Sequence, residues 1–307
     1  MTRISTLRTS LLAGVLLIGL TACNTVPKAS TAATVNGVSI SKDSFEGFIN
    51  EFSEIGQLNM PEGIAAGDDV RSILTAIIKE NDYKIFLQSV GKPVTAAQKK
   101  KVAEGIADEK FKTLTPELQN LIINLNAETA AVQELGAPSD ADIKKMYEKN
   151  HSLTGVMCVS HIVTKEKSTA TKVLAELNKG GDFAKLAAKY STEAAAKKSG
   201  GRISGNDPKG VASRCMSLLD YQANFDPLFT AGAIAAKAGT PYGPVQSSFG
   251  YHIILVAPFA EVAKDVVAFV KSAPGPLLAT GHVTNSPISV DPAYGRWNPA
   301  TASIAAK

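Results

Sequence analysis

The chain has 307 residues and a formal charge of +4, from 32 Lys and Arg against 28 Asp and Glu. Hydrophobic residues make up 45% and charged residues 20%, which excludes a disordered or fibrous chain and suits about two globular domains. So small a positive excess excludes nucleic acid as the expected partner.

The first 22 residues have the layout of a bacterial lipoprotein export signal. Arg3 and Arg8 make a positive start, Leu11 to Leu20 an apolar run, and Leu20-Thr21-Ala22-Cys23 a cleavage box. The apolar run is too short to span a bilayer, which needs about 20 apolar residues. Cleavage makes Cys23 the first mature residue, where its thiol can carry lipid. Two or more acyl chains give stable anchoring. The expected location is outside the cytoplasm, lipid-anchored to the bacterial cell membrane. The leader removes two arginines and no acids, leaving 285 residues at +2.

Residues 23–32 are small and polar and read as a tether. Residues 33–150 then read as mainly helical. Asn36-Gly37 between β-branched residues predicts a hairpin. Ser41 caps a helix with Phe45, Phe48, Ile49 and Phe52 on one face. A second helix starts at Asp68-Asp69 and carries Val70, Ile73, Leu74, Ile77 and Ile78. Thr95 caps a third, whose Lys99-Lys100-Lys101 reads as a solvated face. Pro116 stands in the first turn of a fourth. Gly136-Ala137-Pro138 ends that helix, and Ser139 caps a fifth.

Near Val156 the pattern changes to short β segments between helices. Residues 156–163 and 250–256 read as strands, 168–177 and 182–189 as helices. Another helix follows Ala260. A Pro/Gly-rich linker and a polar tail come next, with Ile288-Ser289-Val290 as the last strand. If Cys23 carries lipid, Cys158 and Cys215 remain. They can pair as a disulfide outside the cytoplasm or stay as two buried thiols. No Cys/His cluster has metal-ligand spacing, so neither metal nor cofactor is expected.

Ser160-His161-Ile162-Val163, Gly180-Gly181-Asp182-Phe183, Lys189-Tyr190-Ser191, Gly243-Pro244-Val245 and Gly250-Tyr251-His252-Ile253-Ile254 follow one another over roughly 100 residues. In this order and spacing, residues 155–260 resemble a parvulin-type peptidyl-prolyl isomerase domain. The resemblance implies an α+β fold, with a four-stranded sheet and surrounding helices. It also implies a close pair of histidines on central strands, His161 and His252. Counting back from Gly243-Pro244-Val245 puts Phe229 at the family's aromatic position, Phe225 at its usual Met and Ile203 near its Leu. These three would form the proline pocket, with Phe225 and Phe229 at i, i+4 on one helical face. Two departures stand out. Glu193 occupies the place of a Cys or Asp facing the twisting amide, and Gly201-Arg202-Ile203-Ser204 replaces a Gly-Asp-Leu-Gly turn. Glu193 is either the polar group of the site beside His161 and His252 or a solvated loop carboxylate.

The flanks resemble PrsA-type lipoprotein foldases and SurA-type chaperones. The matching residues are Ala33-Thr34-Val35-Asn36-Gly37-Val38-Ser39-Ile40, Ser139 to Tyr147, and the ending Ile288 to Trp297, which looks actinobacterial. The resemblance implies one discontinuous helical chaperone module. Residues 33–150 would open it and 261–307 complete it, with the first β segment pairing Ile288 to Val290. Two functions are in view. One is an isomerase that helps exported, unfolded or partly folded polypeptides to fold. The other is a lipoprotein chaperone whose parvulin domain has lost activity, a reading that Glu193 and the altered turn favour. A solute-binding lipoprotein would share the anchor but not the β-rich middle.

Overall fold

A computed structural model describes residues 30–56, 58 and 67–307. The leader and Cys23 lie outside the described residues. Strands β1 (Thr31–Val35) and β2 (Val38–Ser41) form the expected hairpin. Its turn residues Asn36 and Gly37 have φ of 49° and 83°. A two-residue turn of this hand requires positive φ at both positions, which Asn and Gly tolerate. The expected tether is two residues too long, because Thr31 and Ala32 already belong to β1 and Ala32 is buried.

Helices α1 (Lys42–Glu54), α2 (Asp68–Ser89), α3 (Ala96–Gly105), α4 (Pro116–Gln133) and α5 (Asp140–Lys149) follow. The hydroxyls of Ser41, Thr95, Thr115 and Ser139 accept backbone N–H bonds at the starts of α1, α3, α4 and α5. Each such cap contributes about 1 kcal/mol. Phe45 and Ile49 turn into the core from α1, as do Val70, Leu74, Ile77 and Ile78 from α2. Phe48 and Ile73 pack only partly buried against it.

The β-rich middle contains β3 (Val156–Met157), β4 (Val159–Thr164), α6 (Lys167–Asn178), α7 (Phe183–Tyr190) and α8 (Ala194–Ser199). Next come β5 (Gly205–Asn206), β6 (Ala212–Ser213), β7 (Met216–Ser217), α9 (Leu218–Asn224) and α10 (Pro227–Ala235). Strands β8 (Tyr242–Ser247) and β9 (Gly250–Val256) close it. The expected single strand over 156–163 is two strands. It breaks at Cys158, so that β3 pairs with β7 while β4 pairs with β9. Cys158 is disulfide-bonded to Cys215, Cα atoms 4.1 Å apart and 57 residues apart in sequence. Closing a loop of that length removes about 4 kcal/mol of unfolded-chain entropy in the loop-closure account. The central sheet has three full strands, in the order β4-β9-β8. The expected fourth is reduced to one bridge between Ser160 and Arg202.

The chain ends with α11 (Phe259–Ser272), α12 (Pro274–Asn285), β10 (Ile288–Val290), β11 (Arg296–Asn298) and β12 (Ser303–Ala305). Two expectations need correction here. The Pro/Gly-rich stretch is no linker but α12, one of the most buried helices. Its prolines stand in the first turn, where a missing N–H costs nothing. Nor is Ile288–Val290 the last strand, since the β11–β12 hairpin follows. As expected, β10 pairs with β1, Ala33 opposite Val290.

Buried Asp82 on α2 accepts from Asn36 Nδ2 at 3.1 Å, pairs with His282 Nδ1 at 2.8 Å and accepts from Ser286 Oγ. One satisfied carboxylate thus fastens the first hairpin to the α12 end of the chain. One apolar core runs from Phe86, Val132 and Tyr147 through Leu277 into Phe229 and Ile254 of the β-rich middle. Helices α6 and α7 cover the other sheet face over Ile162 and Ile253. Among the described residues no helix is long and apolar enough to cross a membrane.

Candidate active site

In the sheet register His161 lies opposite Ile254, and Val163 opposite His252. Directly paired residues share a face, so both histidines project to the same side of the sheet. Their rings are 12° from parallel with centroids 5.5 Å apart, and the two Nδ1 atoms are 3.3 Å apart.

The partners set the tautomers. His161 Nε2 is 3.2 Å from Glu193 Oε2. A carboxylate only accepts, so this nitrogen carries the proton and His161 Nδ1 is bare. His252 Nδ1 then donates to it. His252 Nε2 is left to accept from Ser247 Oγ at 2.7 Å. The Phe249 N–H donates to that same oxygen at 3.0 Å. Donors therefore run one way, from the β8–β9 turn through both rings to Glu193. Burial lowers the pKa of His161, opposed by Glu193. Burial, and then His161, bring His252 down to about 4, opposed by Asp226. The pair is neutral at neutral pH, as this one-way chain requires.

The apolar side comes from the α9–α10 junction. Phe229 is buried on α10, its ring edge-on to His161 at 5.5 Å and tilted to His252 at 5.0 Å. Phe225 packs on Phe229 with centroids 5.8 Å apart. The two are not on one helical face, as their spacing suggested. Phe225 ends α9 and Asp226 starts α10, and the chain turns between them. Ile203, Phe225, Phe229, Glu193 and both histidines line one cavity of about 390 Å3.

Glu193 reaches this cavity because the preceding residue is tied to β4, Thr192 N–H donating to Val163 O at 2.8 Å. The Gly201-Arg202-Ile203-Ser204 turn is held by its backbone. Gly201 has φ 86°, and a Cβ there would press on the His161 carbonyl oxygen. His161 N–H donates to Gly201 O at 2.8 Å, and Ile203 N–H to Val159 O at 3.0 Å. These bonds carry Ile203 to the cavity whatever the side chain at Arg202.

All six residues singled out from the sequence thus converge. Ser247, Asp226 and Phe249 were missed. The hairpin pairing of β8 with β9 was the available signal for Ser247, since it sets that residue beside Gly250, two residues before His252 on β9. Asp226 before Pro227 marks a helix start, but nothing in local sequence marks its second bond to the β8–β9 turn. The other two histidines lie elsewhere. His151 is buried, Nε2 bonded to the Ala233 carbonyl at 3.0 Å, and His282 pairs with Asp82. No group of His, Cys, Asp and Glu among the described residues has metal-ligand geometry.

Residues 144–258 match the family model for the PPIC-type peptidyl-prolyl isomerase domain. The chain carries a parvulin-type isomerase domain. Relatives extend beyond that domain. Foldase protein PrsA of Clostridium botulinum (strain 657 / Type Ba4) is 28% identical over 289 residues, covering 79% of this chain and 81% of the relative. Foldase protein PrsA of Clostridium kluyveri is 26% identical over 302 residues, covering 83% and 84%. The crystal structure of PrsA from Bacillus subtilis matches with 21% identity and a TM-score of 0.28, over 85% of this chain and 94% of that one. The parvulin domain makes the chain a peptidyl-prolyl cis-trans isomerase. Its task is rotation about an X-Pro amide, whose barrier of about 18–20 kcal/mol comes from resonance. No bond is made or broken, so neither nucleophile nor cofactor is required.

Proposed function

We propose that this chain is a lipid-anchored foldase that isomerises X-Pro bonds in polypeptides exported across the membrane. The observation that carries the site assignment is the single cavity holding the His161–His252 pair, Phe225 and Phe229. Phe225, Phe229 and Ile203 grip the pyrrolidine ring. Removing water from the amide favours the less dipolar, twisted state. His161, His252 and Glu193 are the polar wall, a fixed set of dipoles that needs no reorganisation as the amide loses resonance. The one-way proton chain supports this role, because a neutral pair keeps a constant field across the neutral pH range. The helical parts before and after the parvulin domain hold the rest of an unfolded client.

Phe229→Ala and His252→Ala should each lower kcat/KM on a short proline peptide by about tenfold or more, the scale of one lost pocket contact. Circular dichroism should show the variants folded. Full activity in both would remove the assignment. Suppressed aggregation of an unfolded client by a wild-type chain that does not isomerise would select the non-catalytic chaperone instead.

Cys23 carries the anchor in this proposal, supported by the Leu20-Thr21-Ala22-Cys23 box after an apolar run. Cys23→Ala should release the protein into the medium. Unchanged retention in carbonate-washed membranes would overturn the anchoring.

A further inference from the structure

We infer that Gln222 and His151 are positioning residues, through which α12 holds in place the helices α9 and α10 that carry Phe225 and Phe229. The inference rests on the reading of this cavity as the proline site. Neither side chain lines the cavity itself. Gln222 is on α9, three residues before Phe225. Its Nε2 donates one proton to Thr284 Oγ1 of α12 at 3.0 Å and the other to the Pro299 carbonyl at 2.9 Å. Phe225 packs on Tyr221 with ring centroids 4.7 Å apart. The Tyr221 carbonyl accepts from Thr230 Oγ1 at 3.1 Å, which ties α10 to α9.

The grip on α10 comes from a short turn of 3-10 helix, His151–Thr154, ahead of β3. His151 is buried, and burial takes its pKa down to about 4, so the ring is neutral at neutral pH. A carbonyl only accepts, so His151 Nε2 carries the proton that it donates to Ala233 O at 3.0 Å, four residues beyond Phe229 on α10. The turn is itself fastened to the end of α12. Asn150 Nδ2 donates to Asn285 Oδ1 at 2.7 Å, and Asn285 Nδ2 to Ser152 Oγ at 3.0 Å. The Leu153 carbonyl lies so close to Gly281 that a Cβ there would overlap it. Asp226 ties the start of α10 to the β8–β9 turn, accepting from Ser248 Oγ at 2.7 Å, and the bond to His151 lies towards the other end.

The end of α12 thus reaches the pocket helices by two separate routes. The same stretch is bonded to buried Asp82 on α2 through His282. The polar wall of the cavity is carried by β4 and β9, whereas its apolar wall is braced by the helical part of the protein. An apolar pocket grips the proline ring in the planar and the twisted amide alike, so loosening it weakens binding more than turnover. A variant that merely lowers the folded fraction does the reverse, lowering apparent kcat and leaving KM as it was.

The test uses the mature chain with Gln222→Ala and His151→Leu. Each should raise KM for a short proline peptide about fivefold, the scale of one or two lost hydrogen bonds, and change kcat less than about twofold. His151→Gln keeps an N–H donor near the place of Nε2 and should restore most of the KM. Gln222→Ala decides the matter if His151→Leu does not fold, because it empties no fully buried site. Histidine ring-proton NMR reads the placement without any substrate. The Phe229 ring centroid lies 5.5 Å from that of His161 and 5.0 Å from that of His252, so a displaced α10 moves both signals. Unchanged KM and unchanged histidine signals in Gln222→Ala would overturn the inference, as would a fall in kcat at constant KM. Should the wild type fail to isomerise the peptide, the proposed function falls, and the histidine signals still decide whether Gln222 and His151 position the pocket.

Discussion

Gly275→Ala should destabilise the protein by about 3 kcal/mol or more, at or above the upper end of overpacking effects. Gly275 lies in the first turn of α12, where a Cβ would overlap the carbonyl oxygen of Val132 on α4. The neighbouring atom is backbone, so no rotamer change relieves the clash. Gly281 meets the Leu153 carbonyl in the same way, and Gly155 meets that of Leu277. Helix α12 is therefore seated through backbone-to-backbone contact, and separating it from α4 would open the core that reaches Phe229. Gly47→Ala on α1 is the control, because nothing lies within 4 Å of a Cβ there. It should be neutral or stabilise by up to about 1 kcal/mol through helix propensity. Urea midpoints decide the matter. Equal midpoints for the two variants would refute the seating of α12.

The contribution of Glu128 to stability should fall as pH rises between about 4.5 and about 8, and Glu128→Gln should remove that fall. Glu128 on α4 is buried, with Oε2 unbonded, and near it is the buried Glu80 on α2. Burial, and after it the charge of Glu80, push Glu128 from 4.5 up to about 8. Burial also raises Glu80. Lys84 and Lys99 oppose both shifts without reversing them. Between those pH values the folded chain keeps a proton that the unfolded chain has released. Each pH unit then lowers stability by up to about 1.4 kcal/mol per proton. Below this window both states hold the proton, and above it neither does. Glutamine keeps the shape and removes the titration. Urea denaturation at pH 5 and pH 8 should give a smaller difference for Glu128→Gln than for wild type. Parallel curves would show that Glu128 does not titrate in the window.

Much of the candidate site was legible because its residues sit in short, ordered segments. His161 and His252 lie on strands whose patterns are plain, and strand pairing needs only register to join them. Phe225 and Phe229 follow from their place in the family's pattern, but their i, i+4 spacing does not put them on one helical face. A Pro227 after Asp226 stops one helix and starts another, so the two rings meet across a turn. The clamping roles of Asp226 and Ser247 leave little local trace, since a helix-capping carboxylate and a strand-end hydroxyl look alike whether or not they hold a second partner. Their roles come from partners 22 and 5 residues away.

Local rules determined the first hairpin, the capped helices and the apolar faces of α1 and α2. Each depends on interactions within about four residues, such as Asn-Gly turns, hydroxyl caps and helical spacing. Tertiary structure alone decided that α12 is a helix. Proline and glycine disfavour an isolated helix, and only close seating against the Val132 and Leu153 carbonyls turns the lack of side chains into an advantage. It also decided the break at Cys158, where two short strands pair with different partners. The same holds for the continuous core between the helical parts and the parvulin domain, because contacts between distant residues leave no periodic trace in the chain.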